Sequence, residues 1–174
     1  MATLVDNTDI SQIPYLHKWF VKSELYPYGT KVLDFGCGRW GKGVKYLIDH
    51  GYDAYGYDPF KLSVSENERS LSKIPYEVVL VSNVLNVISD DTLRESVLLS
   101  SLYIGDVVYI TIYEGNRSGE GGSTSKGWQW NTKLIDVIDW INVRFFCLKK
   151  IIEEPVDKMP GSRVLCMKKR EVLL

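Results

Sequence analysis

Residues 31–46 leave this chain the fewest choices. Val32-Leu33-Asp34-Phe35 is a short apolar run carrying one acid, Gly36, Gly38 and Gly41 follow, and Val44, Leu47 and Ile48 then repeat at helical spacing. The pattern predicts a strand, a tight turn and a helix. Glycine has no Cβ and tolerates positive φ, so a glycine turn at the carboxyl end of a first strand lets a ligand lie against backbone. A nucleotide-like ligand is the first expectation.

The rest of the chain alternates strand and helix around that start. Residues 11–25 read as an amphipathic helix on Ile13, Leu16, Trp19, Phe20 and Ser23, with Pro14 in its first turn and His17, Lys18 and Lys22 on its solvated face. It forms a helical cover over residues 1–30, and Tyr15, His17 or Lys18 are its candidates for ligand contact. The helix after the turn is expected to stop near Gly51. Residues 52–58 alternate as a second strand ending in Asp58, residues 60–72 are helix-compatible, and Val78-Val79-Leu80-Val81 within residues 74–83 has the continuous apolar character of a parallel strand buried on both faces. Ser89 or Asp90 caps a helix running to about residue 101, and residues 106–113 are a further strand. A polar, glycine-rich stretch over residues 114–127 is too long for a tight connection. One helix over residues 133–140 and strands over 143–152 and 163–169 complete the chain. Those last strands are joined only by residues 153–161, with Pro155 and Pro160, which predicts a mostly parallel sheet ending in an antiparallel hairpin.

Composition narrows the partners. The 174 residues fit one domain over 1–174, and 45% hydrophobic content suffices for a core. Lys and Arg number 21 against 22 Asp and Glu, a net charge of −1 that gives no global attraction to nucleic acid or anionic lipid. Cys37, Cys147 and Cys166 form no C-x-x-C pair, so neither a disulfide framework nor a metal site is indicated, and a reducing cytoplasm suits them. No apolar run of about 18 residues suggests a membrane span.

Asp34 and Asp58 carry the chemistry. An acid ending the second strand, twenty residues beyond Gly38, is placed to accept hydrogen bonds from ribose hydroxyls. Gly36, Gly38 and Gly41 also satisfy the dinucleotide pattern, so spacing alone does not choose the ligand. Asp34 does: directly before the turn it repels a pyrophosphate, whereas an adenosyl cofactor bearing an ammonium group gains a charge-assisted hydrogen bond. That favours S-adenosylmethionine over a nicotinamide dinucleotide.

At these residues the chain resembles the class I S-adenosylmethionine-dependent methyltransferases. Val32 to Gly38 looks like their first motif, Tyr55-Gly56-Tyr57-Asp58 like their ribose-binding second, and the segment from Val78 to Ile88 like their fourth-strand segment. The resemblance implies a Rossmann-like α/β fold with a mostly parallel seven-stranded sheet and a C-terminal antiparallel hairpin. It implies a cofactor site of Asp34, Gly36, Cys37, Gly38, Asp58, Pro59 and Asn83, with Cys37 packed in the turn rather than acting as a nucleophile. Trp40 stands where the family usually has its third glycine, and is expected to close over the cofactor or pack outward. Asn86 replaces the histidine or acid of many small-molecule enzymes, so no catalytic base is inherited.

A narrower resemblance, over residues 81–88 and 117–129, is to methyltransferases associated with DNA phosphorothioation. It implies that loop 114–130 lies over the cofactor mouth as a substrate lid, with Asn86, Tyr113, Arg117, Glu120, Trp128 and Gln129 as substrate candidates. Stacking tryptophans and an arginine suit a planar or anionic acceptor. The chain lacks the Asn- or Asp-Pro-Pro-aromatic tetrad of DNA amino-methyltransferases and a Pro-Cys nucleophile at the fourth-strand end. The acceptor is therefore left as a small molecule or a nucleic acid, the latter helped by a partner subunit or homodimer if it is a long duplex. A protein that only sequesters or senses the cofactor, and an NAD-dependent oxidoreductase, are the alternative readings.

Overall fold

Strand β1 (Lys31–Phe35) settles what lies on each side of the sheet, because side chains alternate across a strand. Leu33 and Phe35 enter one apolar core, Val32 enters another, and Asp34 shares the face of Val32. The computed structural model describes residues 12–125, 127–145, 149–154 and 164–169. In chain order, α1 (Tyr15–Ser23) precedes β1, followed by α2 (Lys42–Asp49), β2 (Asp53–Tyr57), α3 (Val64–Leu71) and β3 (Tyr76–Ser82). Next come α4 (Asp91–Ile104), β4 (Gly105–Thr111), β5 (Gly121–Thr124), β6 (Gly127–Trp130), α5 (Leu134–Phe145), β7 (Lys149–Glu154) and β8 (Val164–Lys169).

The main sheet has six strands in the order β2-β1-β3-β4-β8-β7. Its first four are mutually parallel, β8 runs antiparallel to β4, and β7 runs antiparallel to β8. The expected terminal hairpin is present; among the described residues the seventh strand is not. Residues between Tyr57 and Tyr76 supply helix α3, so β2 forms the sheet edge. Helix α3 starts on a reciprocal cap: the Ser63 hydroxyl accepts from the Glu66 N–H, and the Glu66 carboxylate accepts from the Ser63 N–H and hydroxyl.

Two cores flank the sheet. On one face Val79 and Val81 of β3 pack with Leu98 and Leu102 of α4 and with Val137, Ile138 and Ile141 of α5. On the other, Val78 and Leu80 pack with Leu47 of α2 and with Leu16 and Phe20 of α1. Full burial of Leu16 and Phe20 contributes about 1.5–3 kcal/mol each, enough to seat the cover helix. Phe20 also stacks on Tyr26 and meets Tyr52 and Tyr109 at an angle.

Three element expectations need correction. Helix α5 continues to Phe145, because Leu134, Val137, Ile138, Ile141 and Phe145 form one buried stripe; the strand expected from residue 143 begins at Lys149. Within loop 114–130, β5 and β6 pair as an antiparallel ribbon. His17 is not on the solvated face of α1: it is fully buried, while Lys18 and Lys22 are exposed. The Pro155 and Pro160 connection, Lys126 and Cys147 lie outside the described residues.

Candidate functional site

A cavity of about 1210 Å³ opens at the carboxyl ends of the parallel strands. Asp34, Gly36, Cys37, Gly38, Asp58, Pro59 and Asn83 all line it, so the structure brings the expected cofactor set together. The turn after β1 needs its glycines. Gly36 has φ +84°, and a Cβ there would stand 2.4 Å from the Val84 side chain. Gly41, at φ +50°, is the N-cap immediately before α2. Trp40 takes the outward alternative: it sits at the cavity rim and is 67% exposed.

Asp58 does more than end β2. Its Oδ2 accepts the Gly38 N–H at 3.0 Å, and its Oδ1 accepts the N–H groups of Phe60 and Lys61 at 3.0 and 3.1 Å. The carboxylate therefore ties the glycine turn to the turn opening toward α3. A carboxylate offers about four lone-pair directions, so three backbone donors leave roughly one for a ligand hydroxyl. Cys37 packs on β2, where a Cβ on Gly56 would lie 2.7 Å from its Sγ. Burial, and then the charges of Asp34 and Asp58, push its thiol well above the ordinary range, which removes it as a nucleophile at neutral pH.

Asp34 is 3% exposed, and its Oδ2 lies 2.9 Å from His17 Nε2. Gly43, in the first turn of α2, permits that approach: a Cβ there would fall 2.3 Å from His17 Nε2 and 2.8 Å from Asp34 Oδ2. Glycine inside a helix costs about 0.5–1 kcal/mol relative to alanine, and here it makes room for a buried polar pair. The residue reading named His17 as a candidate for ligand contact but missed its burial against Asp34 and the part played by Gly43. A signal existed, since His17 lies four residues after Ile13 and three before Phe20, inside the stripe that α1 buries. Gln12 and Pro14 of the cover line the cavity, whereas the candidates Tyr15, His17 and Lys18 are not among its lining residues.

The rest of the cavity is a chamber in which side-chain amides stand among apolar residues such as Val84, Val87, Ile88 and Leu93. Asn83 ends β3 in the left-handed region at φ +56°, which asparagine tolerates better than most residues. Asn86 is buried, donates from Nδ2 to Gln129 Oε1 at 3.3 Å, and accepts the Tyr113 N–H at 3.5 Å. Gln129 Nε2 donates to the carbonyls of Tyr113 and Trp130, both at 2.9 Å. The β5–β6 ribbon is thereby joined to the end of β3 by side-chain amides, and Asn86, Tyr113, Trp128 and Gln129 line the chamber.

Arg117 and Glu120 are not brought into it. Arg117 pairs with Glu114, whose Oε1 accepts the Leu134 N–H at the start of α5, so this pair braces the loop from outside. The ribbon is held instead by Arg94 of α4. Its guanidinium lies 4.0 Å from the Trp130 ring centroid and 5.5 Å from that of Trp128, donates to the Ile88 carbonyl at 2.9 Å, and pairs with Asp91. Among the described residues no group of three His, Cys, Asp or Glu is arranged for a metal ion, and no helix is long and apolar enough to cross a membrane.

Solved structures share this architecture at low identity. A sugar N-methyltransferase from Streptoalloteichus sp matches with a TM-score of 0.64 and 12% identity, over 92% of this chain and 89% of that one. The Burkholderia thailandensis 1,6-didemethyltoxoflavin-N1-methyltransferase, with 1,6-didemethyltoxoflavin and S-adenosylhomocysteine bound, matches at 0.61 and 12%, over 89% and 77%. A Rhodobacter sphaeroides protein described as a zinc-dependent alcohol dehydrogenase matches at 0.60 and 12%, over 90% of each chain. These likenesses establish the Rossmann-like methyltransferase fold and leave the chemistry to be argued from the site. No phosphorothioation-associated protein is among the three. No protein-family model matches the sequence, and comparison with curated proteins gives no match.

Proposed function

We propose that this chain is an S-adenosylmethionine-dependent methyltransferase acting on a small-molecule acceptor. The observation that carries the reading is Asp34, a buried acid at the foot of the glycine turn, sharing one cavity with Asp58. A pyrophosphate there would meet the buried carboxylate of Asp34 in a poorly solvated site, while an ammonium group would be attracted to it. The residues fit the adenosyl cofactor in three respects: glycines that admit its backbone approach, Asp58 with one lone-pair direction toward a ribose hydroxyl, and Asp34 for the amino-acid end. Two of the three structural neighbours described above are methyltransferases by name, one with S-adenosylhomocysteine bound, which supports the same cofactor.

When bound, the cofactor supplies an electrophilic methyl group on a sulfonium. The protein's part is alignment and exclusion of water. Asn83, Asn86 and Gln129 offer amide hydrogen bonds for orienting an acceptor, and Trp128 offers an aromatic wall. The cavity volume suits the cofactor together with a small acceptor. His17 lies against Asp34 and His50 bonds the Tyr46 carbonyl, so neither histidine provides a base for the chamber. An acceptor that releases its proton to water meets that constraint. Sequestration of the cofactor without transfer meets it too, and is the second reading.

Binding and transfer separate these readings. Calorimetry should show saturable binding of S-adenosylhomocysteine and none of NAD. Methyl-tritiated S-adenosylmethionine incubated with lysate should label the small-molecule fraction. Label only in nucleic acid would change the acceptor class, binding without label in any fraction would favour sequestration, and binding of NAD alone would overturn the cofactor.

A further inference from the structure

We infer that His17 is a positioning residue for the amino-acid end of the cofactor, acting through Asp34; the inference rests on the cofactor reading above. Its basis is a three-element junction. Helix α1 contributes His17, β1 contributes Asp34 on the face it shares with Val32, and α2 contributes Gly43, whose missing side chain leaves the space in which the other two meet.

His17 is fully buried, and the rest of the inner face of α1 is apolar, with Leu16 and Phe20 at no more than 1% exposure. A helix that only covered the sheet would gain more from an aliphatic residue there, because a buried imidazole must be satisfied. Its Nε2 lies 2.9 Å from Asp34 Oδ2, yet neither ring nitrogen has an aligned hydrogen-bond partner. Proximity without alignment is the state expected of a site that tightens when its ligand arrives.

Asp34 stands between His17 and the cavity. A carboxylate at a strand end has rotamers that would turn it away from a ligand. The imidazole stands beside Oδ2, so a hydrogen bond from Nε2 that aligns as the ligand arrives would hold that oxygen and leave the remaining acceptor capacity of the group for a ligand donor. The apolar-faced cover helix is thus coupled to ligand affinity through a single side chain, at the end of the ligand that carries the ammonium.

The test compares two ligands that differ only in that end. S-adenosylhomocysteine carries the amino-acid group; 5′-methylthioadenosine has the same nucleoside and lacks it. Calorimetry on the wild type, His17→Ala, His17→Gln and Gly43→Ala gives a ratio of dissociation constants for each. His17→Ala is expected to weaken S-adenosylhomocysteine about tenfold or more while changing 5′-methylthioadenosine less than twofold, as for loss of a hydrogen-bonded charged contact. His17→Gln, which retains a donor near the Nε2 position, should recover part of the loss. Should His17→Ala fail to fold, His17→Gln and Gly43→Ala still report the ratio, and Gly43→Ala should shift it in the same direction. Equal loss for both ligands means a merely structural histidine and overturns the inference, as does unchanged S-adenosylhomocysteine affinity. A wild type that binds neither ligand fails earlier, at the cofactor reading.

Discussion

Asp58 shows how one carboxylate serves structure and site together. Both of its oxygens accept backbone N–H groups, so it closes the glycine turn before any ligand is considered. Asp58→Ala orphans three donors and should lower stability by about 1–3 kcal/mol, since water can reach some of them at the turn. The same variant should weaken S-adenosylhomocysteine more than tenfold. Urea unfolding and calorimetry on one preparation check both halves; weakened binding at full stability would show that the carboxylate serves only the ligand. Residue-level reading found Asp34 and Asp58 because acid and glycine spacings are one-dimensional. It could not find the contact of His17 with Asp34, which depends on how α1 rotates against β1 and on the absence of a side chain at Gly43.

Elements built from strong periodicity were legible, and those built from tertiary support were not. The alternation through β1, α2, β2, α3, β3, α4 and β4 follows the expected order with ends shifted by a few residues. The β5–β6 ribbon was hidden because Gly121-Gly122-Ser123-Thr124 has no apolar alternation. It exists by packing: the Trp128 ring occupies the space a Cβ on Gly121 would need, and Arg94 lies against Trp130. Helix α5 runs past the expected residue 140 although Val143 and Phe145 have strand-like chemistry, because the buried stripe keeps Phe145 helical. The ribbon should accordingly depend on Arg94. Arg94→Met is expected to speed amide hydrogen exchange of residues 121–130 at least tenfold while leaving β1 and β3 protected; unchanged exchange would show that the amide bonds of Gln129 suffice. Acid should act in the same direction. The hydrogen bond from Arg94 is the main cause holding the Asp91 carboxyl below its ordinary 3.8. Its folded pKa lies below its unfolded one, so the stabilisation is present at neutral pH and is lost as pH falls below about 4 through the lowered folded value.

At the scale of the molecule, the cavity is walled by parts that only the folded chain brings together: the cover before β1, the glycine turn, the ends of β2 and β3, and the β5–β6 ribbon. The unfolded chain offers no such surface, so a ligand of this cavity must bind the native state alone and stabilise it by mass action. At a hundred times its dissociation constant the gain is about 2.7 kcal/mol. For a domain of this size each kcal/mol raises Tm by about 2–4 °C, so S-adenosylhomocysteine should raise Tm by about 5–11 °C. NAD at the same concentration should leave Tm unchanged, because its pyrophosphate would have to approach the buried Asp34 carboxylate. Differential scanning calorimetry across a ligand series decides between specific and general effects: the specific shift grows with the logarithm of free S-adenosylhomocysteine above its dissociation constant. A shift produced equally by NAD would mean that the cavity selects the shared adenosine, and that Asp34 does not discriminate against phosphates.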